Sequence, residues 1–462
     1  MRNIPRIVIA ATQSGAGKTT IVTGILAALR KRGLKVQSFK VGPDYIDPGY
    51  HALASGRPAH NLDSWLTPAE ILPGILATEA ADADIAVIEG VMGLYDGGRN
   101  GISSTAEIAK ILKAPVLLVL DVKSMGASAA AIAQGFRDYD RSVDVAGVIL
   151  NRLGSDTHEV MIREAMTGIG MPVYGALRRN DDLRMPERHL GLVPVEENQE
   201  LEMIDHMEQT VAKQVDLEDL MLLARSARPL TIVPYGKKTN CGNCRIGVAR
   251  DEAFSFYYPA SIKVLEQLGA EIVPFSPLHD EKIPAVDGLF IGGGFPEMFA
   301  AQLSANGAMR NGLAQAVKAG MPVLAECGGY MYMMEALQDF QGHVYPMAGV
   351  FSGTAMMTEK LQMVGYVEAE LLRDSLLGKA GSKVKGHEFH FSKESAPVEE
   401  GEAPMMFRKL RNNSQYPAGQ QVNNAMGSYL HLHFAGCLAA AGSFVRKCVS
   451  YGKMQEGTDG KI

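Results

Sequence analysis

The chain is 462 residues long, 47% hydrophobic and 21% charged, an ordinary globular composition that excludes disorder, a collagen repeat and a small disulfide scaffold. Its length suits about three domains, and a chain of this size buries on the order of three-quarters of its unfolded surface without staples. A formal net charge of −6 offers no basic footprint for nucleic acid, and five cysteines fit a reducing compartment better than a secreted framework.

The N-terminal Met-Arg-Asn-Ile-Pro-Arg leads into an apolar run at 7–11. That run is too short to span a membrane and enters a glycine loop rather than a cleavage site, so it reads as the buried first strand of a cytoplasmic protein. Further buried strands are expected at 36–40, 85–89, 116–121, 145–151 and 173–177, with helical spacing between several of them, as at 20–32. Alternation of this kind implies right-handed crossovers and a mostly parallel sheet. A longer helical stretch covers about 198–227. A second series of strands follows at 245–249, 271–274, 288–291 and 323–325, with helices at 261–268 and 307–319. The expectation is therefore two α/β domains, 1–228 and 245–448, with a connector at 229–244 and a polar tail at 449–462. No short-period repeat is evident.

The first strand runs into Ala11-Thr12-Gln13-Ser14-Gly15-Ala16-Gly17-Lys18-Thr19-Thr20, followed by a helix. Small residues let backbone N–H groups curl around phosphate oxygens, and the helix N-terminus favours negative charge. Lys18 can neutralise β/γ oxygens and the Thr19 hydroxyl can complete a magnesium shell, so ATP and Mg2+ are the expected cofactors. Thr12 stands where the usual pattern has a glycine. The next strands end in Phe39-Lys40-Val41-Gly42-Pro43-Asp44-Tyr45-Ile46-Asp47-Pro48 and in Glu89-Gly90-Val91-Met92-Gly93-Leu94-Tyr95-Asp96-Gly97-Gly98, which place acids at the carboxyl edge of the sheet. Turn acids that cap helices would look the same.

Residues 12–19, 39–51 and 89–98 resemble the N-terminal domain of cobyrinate a,c-diamide synthases, which is similar to dethiobiotin synthetase. The resemblance implies an ATP-dependent activation of a substrate carboxylate as an acyl phosphate. It assigns Thr12, Gly15, Gly17, Lys18, Thr19 and Thr20 to the nucleotide, and Thr19, Asp44 and Glu89 to the metal. Asp44, Tyr45, Ile46, Asp47 and Asp96 fall to the substrate. Asn151, at the end of the fifth strand, matches an adenine-contacting asparagine.

In the second domain Met321-Pro322-Val323-Leu324-Ala325-Glu326-Cys327-Gly328-Gly329-Tyr330 runs from strand through cysteine and glycines into a helix. Such an elbow exposes a nucleophile, and the helix N-terminus is expected to lower the thiol pKa. Amides of Gly328, and of Gly293 and Gly294 in the upstream Gly292–Glu297 loop, can form an oxyanion hole. The stretch 427–434 reads as one strand whose alternation turns His431 and His433 to the same face. It resembles the histidine motif of class I glutamine amidotransferases, with Cys327 as nucleophile. In that class an acid sits two residues after the histidine; aligned that way, His431 is the expected base and His433 stands in the acid's place, with His433 as the alternative base. Gly386–Ser392 resembles a further family segment and puts Glu388 and His390 on the face opposite Phe389 and Phe391, as structural or substrate-facing groups. Cys241 and Cys244 have metal spacing but no second ligand pair, and read as a linker pair. The methionines around Tyr330–Met334 read as core.

The resemblance covers nearly the whole chain. It implies ATP- and glutamine-dependent amidation of the a and c acetates of a corrinoid, with ammonia passing inside the protein from Cys327 to the acyl phosphate. L-glutamine and a tetrapyrrole polycarboxylate are the implied partners; a homodimer is left open. Alternatives are the same chemistry on nickel-sirohydrochlorin or hydrogenobyrinate, and cobyric acid synthase, which lacks the Val41–Pro48 stretch. A partitioning-type ATPase would share the loop but leave Cys327 unexplained.

Overall fold

The computed structural model describes residues 3–180, 197–235, 240–395, 399 and 401–459. The chain divides into two units, Met1–Tyr235 and Gly236–Ile462.

In the first unit β1 (Arg6–Ala11) is followed by α1 (Lys18–Lys31), β2 (Val36–Val41), α2 (Ile46–Ser55), β3 (His60–Leu62), α3 (Leu72–Glu79) and β4 (Ile85–Glu89). Next come α4 (Thr105–Ile111), β5 (Val116–Asp121), α5 (Ser128–Tyr139), β6 (Val145–Leu153), α6 (Asp156–Gly168), β7 (Val173–Arg178), α7 (Glu197–Gln214) and α8 (Leu217–Arg225). The strands form one parallel sheet in the order β3-β2-β4-β1-β5-β6-β7. Strands buried on both faces read as unbroken apolar runs, which is why six of the seven are visible in the sequence. The seventh, β3, is the three residues His-Asn-Leu and carries no such signal. The helical stretch expected at 198–227 is two helices. It breaks at Val215–Asp216, where the Asp216 carboxylate accepts from the amides of Glu218 and Asp219 to start α8. Polar Arg6 sits inside the apolar β1 because its guanidinium donates to the carbonyls of Leu112, at 2.7 Å, and Ile4, at 2.8 Å. The core lies between α1, α7 and α8 and the sheet, built from residues such as Ile7, Ile9, Ile25, Leu29, Val211 and Leu220.

The second unit opens with β8 (Cys244–Ala249), β9 (Phe254–Phe256), α9 (Pro259–Gln267), β10 (Ala270–Phe275), β11 (Gly288–Ile291) and β12 (Gly293–Gly294). It continues with α10 (Ala300–Ala305), α11 (Gly307–Lys318), β13 (Val323–Glu326) and α12 (Gly328–Met333). Ten strands then follow: β14 (Met334–Gln338), β15 (Val344–Pro346), β16 (Phe351–Met357), β17 (Met363–Leu371), β18 (Lys383–His390), β19 (Ser392–Glu394), β20 (Met405–Lys409), β21 (Gln415–Ala418), β22 (Gln420–Val422) and β23 (Ala425–Ser428). The two-residue β24 (His431–Leu432) and α13 (Leu438–Asp459) complete the described chain. The main sheet has the order β10-β8-β11-β13-β23-β22, parallel except at β22. An antiparallel sheet β21-β20-β17-β18-β24 and a four-stranded sheet β15-β14-β16-β19 complete the larger layers.

Two expectations change here. Residues 427–434 are not one strand: β23 pairs with β13 in the main sheet, and after Tyr429 and Leu430 the chain crosses to pair His431 with His387 in the antiparallel sheet. A polar tail from 449 is expected, but α13 continues to Asp459, with Val449 and Tyr451 buried because it packs near β8 and α9. Residues 236–239 of the expected connector and 460–462 of the expected tail lie outside the described residues.

Candidate functional site

The carboxyl ends of β1, β2 and β4 are neighbours in the first sheet, so the loops that follow them meet. The loop after β1 turns into α1 through Gly17, at φ +90°, a left-handed conformation that glycine adopts without strain. A Cβ there would lie 2.3 Å from Asn151 Nδ2. That asparagine, at the end of β6, donates to the Ala16 carbonyl at 2.8 Å, and Arg152 donates to the Gly15 carbonyl at 2.9 Å. Asn151 thus braces the loop from beside it. Thr12 is half-buried, and its N–H donates to the Val119 carbonyl at 3.3 Å.

Glu89 closes β4 with no exposure to solvent. Its Oε1 accepts from Thr19 Oγ1 at 2.7 Å and from Lys40 Nζ at 3.0 Å, and lies 3.7 Å from Lys18 Nζ. Its Oε2 is 2.6 Å from His51 Nε2. Lys40 also hydrogen-bonds Asp47 and lies 3.9 Å from Asp44, so three carboxylates share one buried ammonium. Burial would neutralise Lys40, but Asp47, Glu89 and Asp44 outweigh it and hold the ammonium charged above its usual range. Burial tends to raise Glu89 too, and Lys40, His51 and Lys18 override that to keep it ionised. Lys18 is lowered by burial against the pull of Glu89. Burial and the neighbouring Asp47 push Asp44 up to about 7.

These residues fit magnesium. Thr19 Oγ1 is within 3.3 Å of Asp47 Oδ2 and 2.7 Å of Glu89, an all-oxygen donor set. Among the described residues no three or more His, Cys, Asp or Glu form a ready-made cage. Magnesium is commonly held by one or two carboxylates plus substrate phosphates. Tyr45 and Ile46 begin α2, where Asp44 Oδ1 accepts from the Ile46 amide at 2.8 Å. Asn61 on β3 holds this turn through the Gly42 and Asp44 carbonyls, at 2.9 and 2.7 Å. Asp96 is exposed, and its carboxylate accepts from the Gly93 amide at 3.0 Å within its own turn, which packs beside Thr12 of the phosphate loop. Lys40 and His51 carry no motif of their own in the sequence. A lysine inside the buried run Val36–Val41 was the available signal, since an unpaired charge there could not be tolerated.

In the second unit Cys327 links β13 to α12 at φ +47° and ψ −103°, a strained elbow for a residue with a Cβ. Its Sγ is 3.9 Å from the Phe389 carbonyl oxygen. Gly328 is pressed against the glycine loop: a Cβ on it would lie 3.0 Å from Gly294 N. A Cβ on Gly293 would lie 2.5 Å from His431 Cε1. The elbow, the loop and His431 are therefore contiguous. His433 packs its ring against that of Tyr258, centroids 4.7 Å apart. His431 instead stacks on His387, centroids 4.9 Å apart, and Tyr258 Oη reaches His387 Nδ1 at 3.4 Å. Phe389 and Phe391 share one face at 5.8 Å, while Glu388, on the other, hydrogen-bonds Tyr416 and lies 3.8 Å from His390 Nε2.

The thiol differs from expectation. Burial, together with Glu297, Glu326 and Glu388, pushes Cys327 above the ordinary thiol range, and the Gly328 amide opposes this only in part. The helix behind it is six residues long. Burial, helped by His390, lowers His431 to about 3, leaving a neutral imidazole at pH 7. Glu326 likewise has no sequence signature of its own. Its Oε1 accepts the Leu432 amide at 3.2 Å and so ties the nucleophile strand to the histidine strand.

Residues 7–193 match the CobQ/CobB/MinD/ParA nucleotide binding domain, and residues 245–437 match the CobB/CobQ-like glutamine amidotransferase domain. A cobyrinate a,c-diamide synthase from Dehalococcoides mccartyi strain CBDB1 is 44% identical over 96% of this chain and 98% of its own. The chain belongs to the cobyrinate a,c-diamide synthase family. Proteins of that name from Caldanaerobacter subterraneus (40% identical, 96% of this chain and 98% of theirs) and Listeria monocytogenes serotype 4b (44%, 93% and 96%) agree. As a member of the family the protein is a carbon–nitrogen ligase with glutamine as its nitrogen donor, and it binds nucleotide. The amidotransferase match covers the elbow and both histidines, the half of the chain that a partitioning ATPase would leave unexplained. Among the described residues no helix is long and apolar enough to cross a membrane.

Proposed function

We propose that the protein amidates the a and c acetate carboxylates of cobyrinate, in cobalamin biosynthesis, using ATP and glutamine in the cytoplasm. The reading is carried by one observation: a phosphate loop with a lysine–carboxylate cluster and a cysteine elbow with a neighbouring imidazole occur in one chain. The substrate follows from the name its relatives bear. Five free cysteines accord with a reducing compartment.

We assign the first reaction to residues 1–228. Lys18, with the loop amides of Gly15 and Gly17, binds the triphosphate, and Thr12, Thr20 and Asn151 line it. Asp44, Tyr45, Ile46, Asp47 and Asp96 present the tetrapyrrole. Thr19, Asp44 and Glu89 would hold Mg2+, whose chemistry is neutralisation of phosphate charge. A substrate carboxylate oxygen attacks the γ-phosphorus and ADP leaves, giving an acyl phosphate. Lys18 and Lys40 offset the charge that accumulates.

The second reaction falls to residues 245–448. The Cys327 thiol attacks the glutamine carboxamide as His431 takes its proton, because thiol and imidazole are both neutral beforehand. Amides of Gly293, Gly294 and Gly328 face the oxyanion. The proton held by His431 passes to the amide nitrogen as the C–N bond breaks and ammonia leaves; water hydrolyses the glutamyl thioester to glutamate and restores the thiol, and ammonia displaces phosphate from the acyl phosphate. The contiguity of His431 with the glycine loop favours it over His433 as the base.

Cys327→Ser is expected to abolish glutamine-dependent amidation while ammonium salts still support it, and Lys18→Ala to abolish both. Retention of glutamine use by the cysteine variant would overturn the glutaminase assignment. Mass spectrometry of products from cobyrinate, hydrogenobyrinate and nickel-sirohydrochlorin, each with glutamine and Mg-ATP, tests the substrate. The expected result is a two-fold amidated product from cobyrinate.

A further inference from the structure

His51 has no place in the chemistry above, yet it is buried with no exposure at the centre of the first site. It stands four residues after Asp47, so both project from one face of α2. Asp47 reaches forward to Lys40 and Thr19, while His51 reaches Glu89 Oε2 at 2.6 Å. Among the described residues the other ring nitrogen, Nδ1, makes no hydrogen bond, so Glu89 accounts for the ring's polar contacts there. The two oxygens of Glu89 therefore have separate duties: Oε2 takes the imidazole, and Oε1 faces Thr19, Lys40 and Lys18.

We infer that His51 is a positioning residue that fixes the Glu89 carboxylate with one oxygen turned toward the metal–nucleotide position, coupling that carboxylate to α2 and the substrate-side turn at its start. The physical reason is that a carboxylate has two equivalent oxygens and a rotatable end. With Oε2 anchored, its orientation is settled before the nucleotide binds. Without the anchor the group must choose between burying an unsatisfied oxygen and turning away from Thr19. Outer-shell partners of metal-binding carboxylates and imidazoles typically alter metal affinity by about 10–100-fold when removed.

The inference rests on Glu89 being a metal ligand, and the test separates the two. Mn2+ binding is measured by electron paramagnetic resonance on the full-length protein with a non-hydrolysable ATP analogue. His51→Leu is expected to weaken Mn2+ about tenfold. His51→Gln, whose side-chain N–H can reach Glu89, should restore most of it. In activity assays the leucine variant should need more Mg2+ for half-maximal rate while kcat at saturating Mg2+ approaches that of the parent. Should the leucine variant fail to fold, His51→Asn, polar but too short to reach Glu89, takes its place. Unchanged Mn2+ binding in His51→Leu, alongside weakened binding in Glu89→Gln, would overturn the role of His51 alone. A glutamine variant as weak as the leucine variant would also overturn it, because the hydrogen bond would then not be what matters. Unchanged binding in Glu89→Gln would remove the metal role of Glu89, and this inference with it.

Discussion

His431 shows how a single side chain carries both stability and chemistry. Its pKa is lowered to about 3 by burial and by His390, whereas an unfolded histidine titrates at about 6.5. Between those values the unfolded state binds a proton that the folded state refuses, so stability increases with pH and is lost as pH falls from about 6.5 toward 3. The expected slope from this residue is about 1.4 kcal/mol per pH unit inside that window. Comparing urea unfolding of the parent with His431→Asn over pH 4–7 isolates it: the variant should be less pH-sensitive, and equal pH dependence would contradict a buried neutral imidazole. Cys327, Lys18, Thr19 and Glu89 were legible in the sequence because a glycine loop or the end of an apolar run marks each one. His51, Lys40 and Glu326 were not. Each is one polar residue among apolar or turn residues, and its meaning depends on a partner far away in sequence: 51 with 89, 40 with 89, 326 with 432.

At the scale of elements, β13 and β24 belong to different sheets, and their joining is what brings the nucleophile's strand to the histidine's. The Glu326 carboxyl, pushed up to about 8 by burial, is largely protonated at pH 7 and accepts the Leu432 amide. Glu326→Ala would leave that buried amide unsatisfied, at a cost of about 1–3 kcal/mol. The expected outcome is a glutamine-dependent kcat reduced about tenfold or more, with ammonia-dependent amidation little changed. An equal loss of both activities would argue for a general folding defect instead. The crossing from β23 to β24 also explains why alternation misled the sequence reading of 427–434. Period-two patterning holds only within one strand, and here the strand ends at Ser428.

For the whole molecule, each unit has its own apolar core, one around Ile9, Ile25 and Val119 and one around Ile291, Leu313 and Tyr332. Ligands that bind only the folded state raise the stability of the unit that binds them. Differential scanning calorimetry is expected to resolve two transitions, with a Mg2+-bound non-hydrolysable ATP analogue raising one of them. A single transition shifted as a whole would show that the two cores unfold together.

The sequence by itself determined the parallel-sheet units, the phosphate loop, the cysteine elbow and the order in which they occur. Those features are local: apolar runs buried on both faces, glycines at forced turns, and a lysine or cysteine at a fixed offset. The tertiary structure decided what depends on distant partners. It showed that three carboxylates share Lys40 and that His51 contacts Glu89. It put His431 beside the glycine loop with His433 against Tyr258, and raised the pKa of the thiol that a helix terminus was expected to lower. Burial and electrostatic pairing sum over everything nearby in space, and a one-dimensional pattern does not list those neighbours.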